Sequence, residues 1–339
     1  MTKTDDKKNF IYVVVSSGIT FLEIVLLGFF LPKMTSIDTY AGYKTYTLYI
    51  TYSGILHWGF INGVYLRYGD IDYHNLPFCV FRRYTRFLLG SQIVAMVCFF
   101  MIFVFADVKD CSPIFFVVIN ILPVNMNCYF SLIDQFSRRL RRDSIIMVVY
   151  NTGILIACTS LILNRCDNYV SYLGVVTIIN YARMFVYLIS SKEIVWGQCE
   201  RIKSVYKEIF QCISRGIFVL SSEYAGLIIL GVDSIFINVL FSVQQYATYA
   251  FAVSIYGTLF QILNVVSRMM FPYLKRIAKD MVKVYYLRIT NILLVLSSAV
   301  LGLMFFISNV VEFLLPQYFD SIEIASIICV IIIFRTLLE

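Results

Sequence analysis

Ten apolar runs, each close to the length that crosses a bilayer, leave this chain few ways to fold. A spanning helix needs about 20 mostly apolar residues. The runs cover 10–31, 45–66, 87–106, 113–133, 144–163, 169–190, 216–237, 246–267, 289–307 and 321–338. Composition agrees: 60% of the 339 residues are apolar and 14% charged, against about 45–50% and 25% in soluble domains. So few charges cannot coat a soluble fold of this size. The sequence predicts an all-α, polytopic membrane protein of about ten transmembrane helices. The first run is too long for a signal-peptide core and lacks a small-residue cleavage site, so it reads as a retained helix.

Basic residues in the breaks set the orientation. With a cytoplasmic N-terminus, 23 of the 28 Lys and Arg fall in inward segments, and Lys33, Lys44, Lys109 and Arg165 are the outward ones. The positive-inside rule then gives a multi-pass protein with its N-terminus in the cytoplasm. The net charge of +7 is parcelled into short juxtamembrane loops, a pattern of membrane-lipid contact rather than nucleic-acid binding.

Sliding the chain by 206 residues aligns Ser36–Tyr43 with Ser242–Tyr249, with four of eight positions identical. Ile11–Ser16 then falls on Ile217–Ser222. Six spans separate the copies, an even number, so the repeat is parallel. The expected organisation is a cytoplasmic tail 1–9, a six-helix bundle 10–190, a cytoplasmic linker 191–215 and a second bundle 216–339 with four helices. The shift maps Glu339 onto Ile133, so the second bundle lacks its last two spans and the chain reads as truncated.

Several stretches resemble the Wzx-type polysaccharide flippases. Leu31-Pro32-Lys33-Met34-Thr35-Ser36 with Tyr40-Ala41-Gly42-Tyr43 resembles that family's first-loop motif. Gly59-Phe60-Ile61-Asn62-Gly63 with Arg67-Tyr68-Gly69 resembles its second-span motif, though Asn62 stands where Asp is frequent. Gly231-Val232-Asp233, Tyr249-Ala250-Phe251-Ala252 and Met270-Phe271-Pro272-Tyr273-Leu274 resemble its later motifs. The resemblance spans at least 10–275 and implies the multidrug/oligosaccharidyl-lipid/polysaccharide exporter superfamily. The implied function is flipping an undecaprenyl-pyrophosphate-linked oligosaccharide across the bacterial inner membrane, for O-antigen, capsule or similar surface polysaccharide. The alternative is an ion-coupled drug antiporter of the same superfamily. Polysaccharide-assembly proteins are further expected partners.

Charges within spans are costly and usually face an interior or an aqueous cavity. In the first nine runs they are Glu23, Arg183, Glu223 and Asp233, with His57 nearby and Arg67 closing the second span. Arg183 and Arg67 are candidates for the substrate pyrophosphate, because a planar guanidinium pairs with phosphate oxygens bidentately. Asp233, Glu223 and Glu23 are candidates for a coupling H⁺ or Na⁺. The structural alternative ties Glu23 to Arg183 and lets Arg67 snorkel to the interface. Glu223 and Asp233 lie ten residues apart, about 80° short of three helical turns, so both can border one cavity. The nine cysteines fit no metal spacing and two histidines form no cluster, so no metal or other cofactor is expected. Cys111 and Cys166 fall in outward loops and could pair in an oxidising periplasm. No Ser/His/Asp arrangement or Gly-rich phosphate loop suggests an enzyme.

Overall fold

The computed structural model describes residues 3–69, 71–105, 112–198, 204–274 and 282–332. Helix dominates throughout, with no strand among the described residues. The helices are α1 (Lys3–Val25), α2 (Leu31–Met34), α3 (Ile37–Thr51), α4 (Phe60–Tyr68), α5 (Phe78–Phe105), α6 (Ser112–Phe136) and α7 (Leu140–Leu163). They continue with α8 (Tyr169–Ser190), α9 (Lys192–Val195), α10 (Ser204–Leu240), α11 (Val243–Leu274), α12 (Val282–Leu314) and α13 (Ser321–Cys329). Seven described segments are long and apolar enough to cross a membrane. The chain is an all-α polytopic membrane protein. Of the other three expected spans, the second is interrupted, the eighth falls within α11, and the tenth runs from α13 beyond the described residues. Cys111 also lies outside them, and with it the expected Cys111–Cys166 pairing.

Packing divides the chain into two compact units. One holds Met1–Ala41, Ile162–Asp167 and Ile237–Glu339; the other holds Gly42–Leu161 and Asn168–Phe236. In the first unit α11 packs on α1 and α13. Its centre is aromatic: Phe251 and Tyr318 lie 4.9 Å apart, and Tyr40 lies 5.7 Å from Tyr318. The Tyr40 hydroxyl and Ser254 Oγ share a buried hydrogen bond of 3.0 Å. A π-helical stretch, Leu26–Phe30, precedes Pro32, whose carbonyl accepts from Gln317 Nε2 at 2.9 Å.

The two segments of the sequence repeat have the same local geometry. Ser36 caps α3 by accepting from the Thr39 amide, and Ser242 caps α11 by accepting from the Gln245 amide, each at 3.3 Å. A serine at that position satisfies one of the orphan donors of the first turn. The Tyr-Ala pair that follows is buried in both copies, as Tyr40–Ala41 and Tyr246–Ala247.

In the second unit α6 is the central helix, packed against α5, α8 and α4. Pro123 lies inside it. Proline has no N–H, so the carbonyl four residues earlier, Ile119, loses its helical donor. The Tyr181 hydroxyl on α8 donates to that carbonyl at 3.0 Å. The pairing predicts a coupled result. Tyr181→Phe should cost about 1–2 kcal/mol alone, the worth of leaving a buried acceptor unmade. In a Pro123→Ala chain the helix makes its own bond, and the same change should cost well under half as much. A double-mutant cycle on thermal unfolding in detergent measures this; equal costs in both backgrounds would contradict it.

The second expected span is not one helix. α3 ends at Thr51, a 3₁₀ stretch covers Tyr52–His57, and the chain turns at Trp58 (φ 54°) and Gly59 (φ 77°) before α4 begins. Non-helical backbone at membrane depth survives only where its polar groups find protein or water. Here Gln92 on α5 donates to the Leu56 carbonyl at 3.1 Å, and Asn125 on α6 donates to the Ser53 carbonyl at 3.1 Å. Asn125 also donates to Gln92 at 2.8 Å, and both amides are buried. These amides stabilise the break by replacing the helical bonds it lacks.

α4 then runs against α10 with almost no space between backbones. A Cβ on Gly59 would strike the Gly216–Ile217 backbone, and one on Gly63 the Cys212 carbonyl. Gly59 and Gly63 form the small-xxx-small spacing that lets membrane helices approach closely. α10 itself starts at Ser204, so residues 204–215, expected in the linker, are helical. Lys207, Glu208, Gln211 and Arg215 are spaced for an amphipathic extension, which a count of charges alone reads as loop.

Candidate functional site

The second unit carries four of the five candidate residues, and its polar interior sets their geometry. α6 and α8 are joined by an amide ladder. Asn180 donates to Asn120 at 2.9 Å, Asn120 donates to Thr177 at 2.7 Å, and Asn127 donates to the Asn180 carbonyl at 3.1 Å. The Asn180 side-chain oxygen accepts from the Tyr150 hydroxyl of α7 at 3.0 Å. Tyr187, one turn beyond Arg183 on α8, donates to Asp143 at 2.7 Å. Two tyrosine rings are thereby fixed in position.

Arg183 lies over both of them. Its guanidinium carbon is 4.8 Å from the Tyr150 ring centroid and 5.6 Å from that of Tyr187. Cation–π contact offsets part of the cost of holding that charge within a span. Its Nε is buried and makes no hydrogen bond. A guanidinium stacked on aromatic faces has its plane fixed, and its fork is suited to an anionic oxygen.

Along α10 the broken second span supplies the facing groups. Asn62 donates to both oxygens of Glu223, at 3.1 and 3.0 Å. The Tyr224 hydroxyl donates to the Thr51 carbonyl and the Tyr52 hydroxyl to the Leu227 carbonyl, each at 3.3 Å. Tyr52 also lies within electrostatic reach of Asp233. Asp233 accepts from the Ser234 amide at 2.6 Å. Both carboxylates are on exposed residues of a membrane-spanning helix. Cys128 on α6 is within electrostatic reach of both Arg183 and Glu223. Arg183 on α8 and Glu223 on α10 stand on different helices of the unit, with Asp233 ten residues beyond Glu223 on α10.

Arg67 is placed differently. It pairs with Glu208 at 3.4 Å and donates to Gln211 at 3.2 Å, at the far end of α4. Glu23 belongs to the first unit, on α1. His57 is buried, its Nδ1 without a hydrogen bond, beside the break in the second span. Among the described residues no cluster of His, Cys, Asp or Glu could hold a metal. Reading only the charges misses the neutral groups Tyr150, Gln92 and Asn125, and gives Asn62 no role beyond its place in the motif. Their signal was present as amides and tyrosines within apolar runs, which need partners as charges do.

At the other end of this unit, ion pairs secure the loops. Asp134, buried, pairs with Arg142 at 3.4 Å and Arg139 at 3.7 Å. Arg139 also lies over the Tyr73 ring at 3.9 Å, and Tyr73 donates to Glu193 at 3.0 Å. Burial first, and then this bond to a carboxylate, push the Tyr73 hydroxyl up to about 12. The Glu193 carboxyl is held below its usual value by its backbone hydrogen bond and the Tyr73 hydroxyl. The phenol-to-carboxylate bond between Tyr73 and Glu193 therefore persists across the neutral range.

A family model described as Polysaccharide biosynthesis protein matches residues 82–278, more than half of the chain. The chain belongs to this family. No curated protein and no solved structure matches it. The region matched in this polysaccharide biosynthesis family member runs from α5 past the end of α11. It contains Arg183, Glu223 and Asp233, whereas Glu23 and Arg67 lie before it. Family and fold together give a multi-pass membrane protein of polysaccharide biosynthesis.

Proposed function

We propose that this protein flips a lipid-linked oligosaccharide, carried on an undecaprenyl pyrophosphate, from the cytoplasmic to the outer leaflet of a bacterial inner membrane. The observation that carries the reading is Arg183, a cation within a membrane-spanning helix, seated on Tyr150 and Tyr187. Such a residue is expensive in a bilayer, and a functional partner is the default explanation. Membership of the polysaccharide biosynthesis family makes a pyrophosphate-linked sugar the anion to expect.

In this mechanism Arg183 binds the pyrophosphate within the membrane. Arg67 binds it at the cytoplasmic end, where the anion competes with Glu208 for the guanidinium. Glu223, Asp233 and Glu23 are the candidates for a coupling H⁺ or Na⁺. Translocation proceeds by alternating access between two parallel-repeat bundles, 10–190 and 216–339, with the N-terminus in the cytoplasm. The chemistry is transport, and no covalent step is assigned to any residue.

Complementation tests the proposal. Expression in a bacterium deleted for its own O-antigen flippase, in a panel of strains with different repeat sugars, should restore surface polysaccharide in at least one. No restoration in any strain despite confirmed membrane insertion, together with new resistance to cationic drugs, would replace the flippase with a drug antiporter.

A further inference from the structure

A groove of about 960 Å³ runs along α5 on the second unit. It lies near the upper end of the about 300–1,000 Å³ typical of ligand pockets. One wall is a single face of α5: Arg83, Arg86, Gly90, Val94 and Cys98 recur at spacings of three and four residues. Leu56 and Trp58 from the broken second span and Val205 and Ile209 from α10 form the rest. The groove is polar at one end and apolar along its length.

Three observations bear on what fills it. First, α5 presents its apolar side outward, with Val94 62% and Ile102 62% exposed, as a lipid-facing helix does. Second, nothing lies within 4 Å of a Cβ built on Gly90, so the groove floor is open at its midpoint. Third, the arginines sit at one end only. Arg86 donates to the Gly197 carbonyl at 2.7 Å, which positions its guanidinium at the mouth. From Arg86 to Cys98 the helix rises about 18 Å, close to the roughly 15 Å that is half of a 30 Å hydrocarbon core. The charge, apolar length and depth match one phospholipid of one leaflet.

We propose that this groove binds an anionic phospholipid, its phosphate at Arg83 and Arg86 and one acyl chain along Gly90, Val94 and Cys98. The site is distinct from the Arg183 locus and does not depend on the flippase reading. Its lipid is a resident of the basic, cytoplasmic-side leaflet, which carries the anionic headgroups such clusters attract.

Trp58 lines the groove, and Trp196 is the other tryptophan in the chain. A Trp196→Phe chain therefore reports from the groove alone. It is reconstituted in phosphatidylcholine vesicles containing phosphatidylglycerol with brominated acyl chains, or brominated phosphatidylcholine at the same mole fraction. Two arginines predict a preference for the anionic lipid of roughly 30-fold, read from the quenching of Trp58. Arg83→Gln/Arg86→Gln should abolish the preference while leaving quenching by brominated phosphatidylcholine unchanged, which shows that the fold is kept. Arg141→Gln/Lys192→Gln, removing the same charge outside the groove, should retain it. Gly90→Phe should lower quenching by filling the groove with both arginines present. Equal quenching by the two lipids, or equal loss in both double variants, would overturn the proposal.

Discussion

An Arg183→Ala chain is expected to lose surface polysaccharide by roughly 10- to 150-fold in a complemented strain, the worth of about 1.5–3 kcal/mol for a hydrogen bond to a charged group. The expectation follows from where the side chain is held. Tyr150 and Tyr187 fix the guanidinium plane, and the Asn180 ladder and Asp143 fix those rings. Little ordering entropy remains to be lost when an anion binds, so most of the interaction is realised. Arg183→Lys keeps the charge but not the stacked fork and should fall between the two. Tyr150→Phe keeps the ring and loses only its bond to Asn180, so it should be the mildest of the set. The readout is surface polysaccharide normalised to membrane-inserted protein. Wild-type levels in Arg183→Ala would remove this residue from the mechanism.

The largest expected effect on stability lies at Gly63. A single methyl there meets the Cys212 carbonyl, a backbone atom that cannot rotate away. Gly63→Ala should therefore cost at least about 3 kcal/mol, the upper range for overpacking, and should deplete folded protein in detergent. Gly90→Ala is the matched control. It lies in the interior of α5 with open space before it, so alanine should be neutral or gain up to about 1 kcal/mol from helix propensity. Comparing the melting temperatures of the two variants tests the close approach of α4 and α10. Equal melting temperatures would show that these helices are not in backbone contact.

How much of this was legible beforehand depended on the kind of signal. Apolar runs separated by basic breaks are a bulk property, so the all-α membrane class came directly from them. The Ser36 and Ser242 segments were visible as a repeat because capping and the buried Tyr-Ala pair constrain identity locally. The break at Trp58–Gly59 was not visible. Tyr52–His57 reads as helix by composition, and what permits the break is remote: Gln92 and Asn125 supply the missing donors. The glycines of Gly59-Phe60-Ile61-Asn62-Gly63 stood out as a motif, but their reason, contact with Gly216 and Cys212, requires the fold. Arg183 was found by its charge alone. Of the two tyrosines that seat it, Tyr150 lies on another helix, and Tyr187, one turn along α8, has nothing in the sequence that sets it apart among 25 tyrosines.

The central claim is that a pyrophosphate-linked oligosaccharide crosses the membrane through this protein. The most direct measurement is translocation in proteoliposomes loaded symmetrically with a fluorescent undecaprenyl-pyrophosphate oligosaccharide, followed by a membrane-impermeant sugar-modifying reagent. With the protein present, lipid from the inner leaflet should become accessible and the signal should fall toward completion. In protein-free vesicles it should stop near half, and with the Arg183→Ala chain it should pass half roughly 10- to 150-fold more slowly. A plateau near half with the wild-type chain, inserted and folded, would contradict the account.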